Sequence, residues 1–248
     1  MKFYIIQSGS KGNATILEND GRYLLIDDGL SCKCIKEVMH SLNKNIMNLE
    51  ALLLTHEHSD HTKGIQYLPP LPIYCREGTY DGDNVNNIYC FEPFNLINLK
   101  VTPLLTSHDA TNPCGYMFEG NNEKLVYMTD TGFIPDMSLD VMGNADYYVI
   151  ESNHDVKMQL ATHRPAHLIN RILSDEGHLS NKDSASYMTH LVGKNTKQII
   201  LAHLSQEANT PECALETYRA VFKKKNVSLE GIDLRCASQT KMVIGGKL

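Results

Sequence analysis

Thr55-His56-Glu57-His58-Ser59-Asp60-His61 sets three histidines and an aspartate within seven residues, directly after the apolar run Ala51–Leu54. A zincin-type helix, H-E-x-x-H, would need histidine where Asp60 stands. On any helix, positions 56, 58 and 60 are thrown to different sides of the cylinder. Continued as an extended stretch at a strand end, alternate residues share one side, so His56, His58 and Asp60 point together. His61 turns toward the same place once the chain bends. Imidazole and carboxylate are the ligand types that zinc, manganese and iron prefer, and neither is a good choice for burial without a purpose.

Outward from this segment, the first third of the chain reads as strands punctuated by turns. Lys2–Gln7, Ala14–Glu18 and Arg22–Asp27 are short apolar or β-branched runs, separated by Ser8-Gly9-Ser10-Lys11-Gly12-Asn13 and by Asn19-Asp20-Gly21. The Asp-Gly tip predicts a hairpin. Ser31 caps a helix over Cys32–Leu42, with Ile35, Val38, Met39 and Leu42 on one face. Strands follow at Val101–Leu105, Gly115–Glu119, Lys124–Met128 and Asp146–Ile150. Helices are expected at His167–Leu173, at Asn181–Val192 and from Thr210-Pro211 to about Lys224, where a capping Thr precedes Pro at the first position. Gln198–Leu201 is another strand, and Ile232–Cys236 and Lys241–Ile244 close the chain.

Composition narrows the class. The 248 residues are 42% hydrophobic and 21% charged, enough to bury a core and too apolar for disorder of the whole chain. No apolar run approaches the ~18 residues of a membrane span, so no membrane partner is expected. Met1–Gln7 lacks the pattern of a signal peptide, and the seven cysteines, odd in number and irregularly spaced, do not form a disulfide framework. These features point to a cytoplasmic protein with reduced thiols. With no linker-like or low-complexity segment, one domain over residues 1–248 is the simplest organisation. The net charge of −6 bears on solubility and association, and a local basic patch is compatible with it.

The H-x-H-x-D-H segment resembles the signature of the metallo-β-lactamase superfamily, and the resemblance runs along nearly the whole chain. His108 in Thr106-Ser107-His108-Asp109, Asp130 in Met128-Thr129-Asp130-Thr131-Gly132 and His203 in Leu201-Ala202-His203-Leu204 match its later motifs in order. Leu25-Ile26-Asp27 matches the strand-end aspartate that braces the metal loop. The resemblance implies an α/β fold, an αβ/βα four-layer sandwich of two mixed β-sheets flanked by helices. It also implies two divalent ions, zinc or manganese, held on strand-end loops. His56, His58 and His108 would hold the first ion and Asp60, His61 and His203 the second, with Asp130 bridging. Each ion keeps an open position for water, as catalytic sites do, and an ion pair ~3.5–4 Å apart clamps both ends of an in-line displacement.

Further segments resemble the YycJ/WalJ group of that superfamily, associated with 5′-to-3′ exonuclease action on duplex DNA and with mismatch repair. These are Ser8–Asn13, Asp27-Asp28-Gly29-Leu30-Ser31, Ser107–Ala110, Glu151-Ser152-Asn153-His154-Asp155 and Gly177-His178-Leu179-Ser180-Asn181. Asp28 departs from the group, which favours a small residue there, and so does Cys114, where a small aliphatic one is commoner. The resemblance implies His178, in His178-Leu179-Ser180, as the general acid that protonates the leaving oxygen, with Asp60 the other candidate catalytic residue. Glu151 and His154 are expected to orient ligands or substrate, and His40, His163, His167 and His190 are read as ordinary histidines. The expected activity is phosphodiester hydrolysis of DNA by metal-bound hydroxide. The rivals are an RNase Z-like enzyme or a cyclic-nucleotide phosphodiesterase, a lactone or thioester hydrolase, a di-iron oxidoreductase, and an inactive nucleic-acid scaffold. The gap between Asp130 and His203 leaves no room for the extra domain of RNase J-type enzymes. No Gly/Pro-rich arm for transfer RNA is present.

Overall fold

Runs of apolar and β-branched residues divided by turn residues become strands in the computed structural model, which describes residues 1–247. In chain order the strands are β1 (Lys2–Gln7), β2 (Ala14–Asn19), β3 (Arg22–Ile26), β4 (Leu49–Leu53), β5 (Ile73–Cys75), β6 (Val85–Asn87), β7 (Phe94–Leu96), β8 (Leu99–Leu105), β9 (Cys114–Gly120), β10 (Glu123–Met128), β11 (Tyr147–Glu151), β12 (Gln198–Ala202), β13 (Asp233–Cys236) and β14 (Val243–Gly246). The helices are α1 (Cys32–Ser41), α2 (Ser59–Thr62), α3 (Asp136–Met142), α4 (Val156–Leu160), α5 (Ala166–Ile172), α6 (Asn181–Leu191) and α7 (Pro211–Lys224). The fold is α/β, with two mixed β-sheets flanked by helices. Helices α3 and α4 span only seven and five residues, too short for an apolar period to announce them.

The chain forms two compact units. The first comprises Met1–Pro103 and Ala110–Asn122 with the C-terminal segment from Ser238. It contains a whole sheet, ordered β14-β1-β2-β3-β4-β5-β6. Strands β14, β1, β2 and β3 pair antiparallel, and β3 to β6 pair parallel. The β2–β3 hairpin turns at Asp20 (φ 51°) and Gly21 (φ 75°), both in the left-handed region that a two-residue turn of this type requires. Helix α1 begins at Ser31, whose side chain accepts from the Cys34 amide. It lays Cys32, Ile35 and Met39 onto a core with Ile16, Leu25, Leu52 and Leu54, and it is followed by Asn43 in the left-handed conformation (φ 55°).

The second unit comprises Leu104–Asp109 and Glu123–Ala237. Here β10 to β13 run parallel in spatial order β13-β12-β11-β10. Every residue of β11 and β12 is buried, so both read as continuous apolar runs, as strands covered on both faces do. Helix α6 is pinned to the end of β11 by Ser184, whose hydroxyl donates to the Glu151 carbonyl and meets the Tyr218 hydroxyl of α7. Tyr148, fully buried, places its hydroxyl 2.9 Å from the Met142 and Leu191 carbonyls and accepts from the Ala145 amide. One oxygen thereby joins the end of α3, the end of α6 and the turn into β11. Tyr148→Phe should cost about 1–3 kcal/mol through the polar groups left unmatched. Thermal unfolding should show a Tm lower by about 3–10 °C with unchanged far-UV circular dichroism.

Candidate metal centre

In the first unit, β4 ends at Leu53 and delivers the chain into Leu54 and a bend at Thr55. The chain then coils: Ser59–Thr62 is one helical turn, with the His61 amide donating to the His58 carbonyl. Asp60 and His61 therefore do not continue an extended stretch, which corrects the alternation expected for Asp60. The turn is favoured locally because the Thr62 hydroxyl donates back to the Glu57 and His58 carbonyls, and Asp60 sits in the first turn, where the helix dipole favours a negative charge. The coil still gathers the side chains. The His56 ring lies 4.6 Å from that of His58 and 4.1 Å from that of His61, centroid to centroid, and Asp60 Oδ2 is 3.7 Å from His61 Nε2.

Asp27 stands beneath this loop. It follows β3 with φ 56°, and its fully buried carboxylate accepts from the Thr55 amide (2.8 Å) and the Thr55 hydroxyl. Its Oδ2 is also 2.8 Å from His61 Nδ1, and Thr55 Oγ1 is 3.0 Å from His56 Nδ1. Asn13, absent from the sequence-based residue set, is completely buried here. Its Nδ2 lies 2.9 Å from His61 Nε2 and donates to Asp60 Oδ2 and the Gly9 carbonyl. The Ser8–Asn13 turn that carries it was legible; its contact with a segment 47 positions away was not. Gly29 is required by close approach, since a Cβ there would fall 1.5 Å from the Asp60 carbonyl oxygen.

The second unit gathers its own set. Asp130, Glu151, His178 and His203 each offer a ligand atom within 4.8 Å of the others. Asp130 follows β10 and His203 follows β12, both left-handed (φ 56° and 55°). Glu151, the last residue of β11, is fully buried. Its Oε1 is 2.7 Å from His178 Nδ1 and 3.0 Å from His203 Nδ1, and its Oε2 accepts from the Thr131 and Leu179 amides. Burial works to raise the Glu151 pKa, but the charge and hydrogen bonds of His178 and the hydrogen bond of His203 hold it below the usual carboxylate range. His108, after β8, directs Nδ1 at the Gly177 carbonyl (3.0 Å), and burial keeps its imidazole below the usual histidine range. Its ring lies 5.0 Å from that of His178. Asn153, also unanticipated, donates to the His203 carbonyl, and Asn209 donates to the carbonyls of Ser152 and Asn153. His154 is buried beside this set and its pKa is lowered by burial to about 4.

One pattern recurs. His56, His61, His108, His178 and His203 each have Nδ1 engaged by an oxygen, which fixes the ring and turns Nε2 away from that oxygen; His61 Nε2 lies 2.9 Å from Asn13 Nδ2. Metal-binding histidines are oriented in this way. The donors are imidazole nitrogens and carboxylate oxygens without thiolate, a set that suits zinc or manganese. The residues present therefore fit divalent metal.

Comparison with known proteins agrees with this chemistry. A family model described as a beta-lactamase superfamily domain matches residues 22–204. The chain is 37% identical to the exodeoxyribonuclease YycJ of Bacillus anthracis, over 91% of this chain and 90% of that one. It is 36% identical to the exodeoxyribonuclease WalJ of Streptococcus pneumoniae, over 86% and 85%. Among solved structures, the metallo-β-lactamase fold protein YhfI of Bacillus subtilis superposes with a TM-score of 0.73 at 16% identity, covering 98% of this chain and 99% of that one.

Asp28 makes the loop of the first unit sensitive to pH. Both of its carboxylate oxygens are buried without a hydrogen bond of normal geometry among the described residues. Burial pushes its pKa from 3.8 up to about 7, the Leu30 amide pulling against this and the Asp27 charge adding to it. The folded carboxyl keeps its proton up to about pH 7, whereas the unfolded one loses it near pH 4. Its contribution to stability is thus complete below pH 4 and lost as pH rises to about 7. In metal-free protein, Asp28→Asn should raise Tm by several degrees at pH 8 and have little effect at pH 4, as measured by thermal melts across that range.

Proposed function

The chain belongs to the metallo-β-lactamase superfamily and is related to the exodeoxyribonucleases YycJ and WalJ, and on that premise we propose that it is a metal-dependent phosphodiester hydrolase degrading duplex DNA from the 5′ end. The observation that carries this reading is the Glu151–His178 pair, 2.7 Å apart, beside Asp130 and His203. A nuclease needs a proton for the departing sugar oxygen, and an imidazole anchored through Nδ1 presents Nε2–H for that purpose. Imidazole has the appropriate acidity near neutral pH. The carboxylate of Glu151 anchors the ring through Nδ1 and holds its tautomer.

Two divalent ions are assigned to His56, His58 and His108 and to Asp60, His61 and His203, with Asp130 shared. The family's order of motifs supports this assignment, as does the Nδ1 anchoring of the histidines. When bound, such ions supply Lewis acidity toward phosphoryl oxygens and activate the attacking water. The protein's own part is to hold the imidazoles in register from beneath and to deliver the proton from His178. Family matching runs from residue 22 to 204, across both compact units, which supports reading residues 1–248 as one superfamily domain. Among the described residues no helix is long and apolar enough to cross a membrane.

His178→Ala should retain bound metal but lower kcat on duplex DNA by about 10²–10⁴-fold. The loss should largely vanish on thymidine 5′-p-nitrophenyl phosphate, whose leaving group needs no proton. Equal losses on both substrates would remove the acid role. Asp60→Ala should release about half of the bound metal, read by elemental analysis. Chelation should abolish cleavage of 5′-labelled duplex DNA, and Mn²⁺ or Zn²⁺ should restore it. Turnover of a lactone without DNA cleavage would overturn the reading.

A further inference from the structure

A cavity of ≈ 620 Å³ opens beside His178, lined wholly by residues of the second unit. This is the size of a pocket for a small organic ligand. One wall is α6, which turns Asp183, Ser186, Tyr187 and His190 toward the cavity at the spacing of a single helical face. His190, unremarkable in the sequence, gains a place through this face. The other walls include Phe133, from the loop after β10, and His154, which bridges to Ser180 just before α6.

The lining says what the cavity takes. Among the described residues it contains no lysine or arginine and does contain the carboxylates Asp175 and Asp183, so it is unsuited to a phosphate. Phe133 is a large apolar ring left 38% exposed, and Tyr187 adds a second ring. His154 is 1% exposed, and its Nδ1 is buried without a hydrogen-bond partner among the described residues. Leaving such a group unmatched is unfavourable, and a ligand atom can match it. Because burial keeps His154 neutral at physiological pH, it serves as a hydrogen-bonding partner for an uncharged ligand. Two aromatic faces, a buried neutral imidazole and the absence of lysine and arginine among the described residues describe a site for a nucleobase, which enzymes acting on DNA read by stacking and by hydrogen bonds to its edge.

We propose that this cavity is a base pocket that holds the 5′-terminal nucleoside of the strand being degraded, stacked on Phe133 and Tyr187 with its polar edge at His154. The assignment rests on the nuclease reading and extends it. In the cut, water oxygen bonds to phosphorus, the bond from phosphorus to the 3′ oxygen of the terminal nucleotide breaks, and His178 passes its proton to that oxygen. The terminal nucleoside is therefore the leaving side, and it belongs next to the acid, where the cavity lies. The shortened strand keeps the phosphate at its new 5′ end.

The test compares duplexes with an ordinary 5′-terminal nucleotide and with a tetrahydrofuran abasic analogue in that position. Wild-type protein should cut the abasic end with kcat/KM lower by about tenfold or more. F133A/Y187A should lose that preference by cutting the ordinary end as slowly as the abasic one. Equal rates in wild type, or a preference kept in the double variant, would overturn the proposal. A second measurement does not depend on nuclease activity: thymidine and deoxyribose are titrated against the protein while the histidine imidazole resonances are followed by NMR. Thymidine should shift the resonance that His154→Gln removes, and deoxyribose should not. If no DNA is cut yet thymidine binds, the nuclease reading fails and the pocket stands; if DNA is cut and thymidine leaves His154 unmoved, the pocket fails alone.

Discussion

A carboxylate taken out of water is tolerable only when its charge and lone pairs are met by fixed donors. Each unit contains one that satisfies this condition with imidazole. Asp27 is met by the Thr55 amide and hydroxyl and by His61 Nδ1. Glu151 is met by two backbone amides and by Nδ1 of His178 and His203. The requirement works in both directions. The carboxylate needs the rings in order to be buried, and the rings, once held by Nδ1, have a single orientation. Removing either acid would free the histidines to rotate while leaving their number unchanged.

The backbone contributes a second constraint. Asp27, Asp130 and His203 follow closely on strands β3, β10 and β12, and each has a φ near +55°. That conformation costs a non-glycine residue of order 1 kcal/mol, and Asp and His are among the residue types found there most often. Residue types suited to metal binding thus coincide with those that tolerate the required backbone. The surrounding strands supply rigidity: β11 and β12 are buried along their full lengths, and Ser184 ties α6 to the last carbonyl of β11.

Periodicity and turn chemistry located most elements, because hairpins such as Asp20-Gly21 and caps such as Ser31 and Thr210 are local interactions between neighbours in sequence. They failed where an element was too short to show a period, as in α3 and α4, and where a local hydrogen bond overrode alternation, as Thr62 does in coiling Ser59–Thr62. The candidate ligands were legible because histidine and aspartate at strand ends are chemically distinctive. Asn13, Asn153 and Asn209 were not, because asparagine is common in turns and its importance comes from carbonyls and rings far away in the chain. His190 illustrates the same limit. Nothing in its flanking residues separates a cavity wall from an exposed helix face.

The histidines and aspartates that can bind divalent metal, their order along the chain and the strands that carry them were determined by the sequence alone, since each depends on residue type and on neighbours within a few positions. Tertiary structure decided which nitrogen of each ring is held by an oxygen, which acid is buried beneath which ring, and that a cavity with two aromatic rings, and without lysine or arginine among the described residues, adjoins His178. Those properties arise when segments such as Thr131, Glu151, His178 and His203 are brought within hydrogen-bonding distance. Burial then strengthens each contact by excluding water, an effect without counterpart in the unfolded chain.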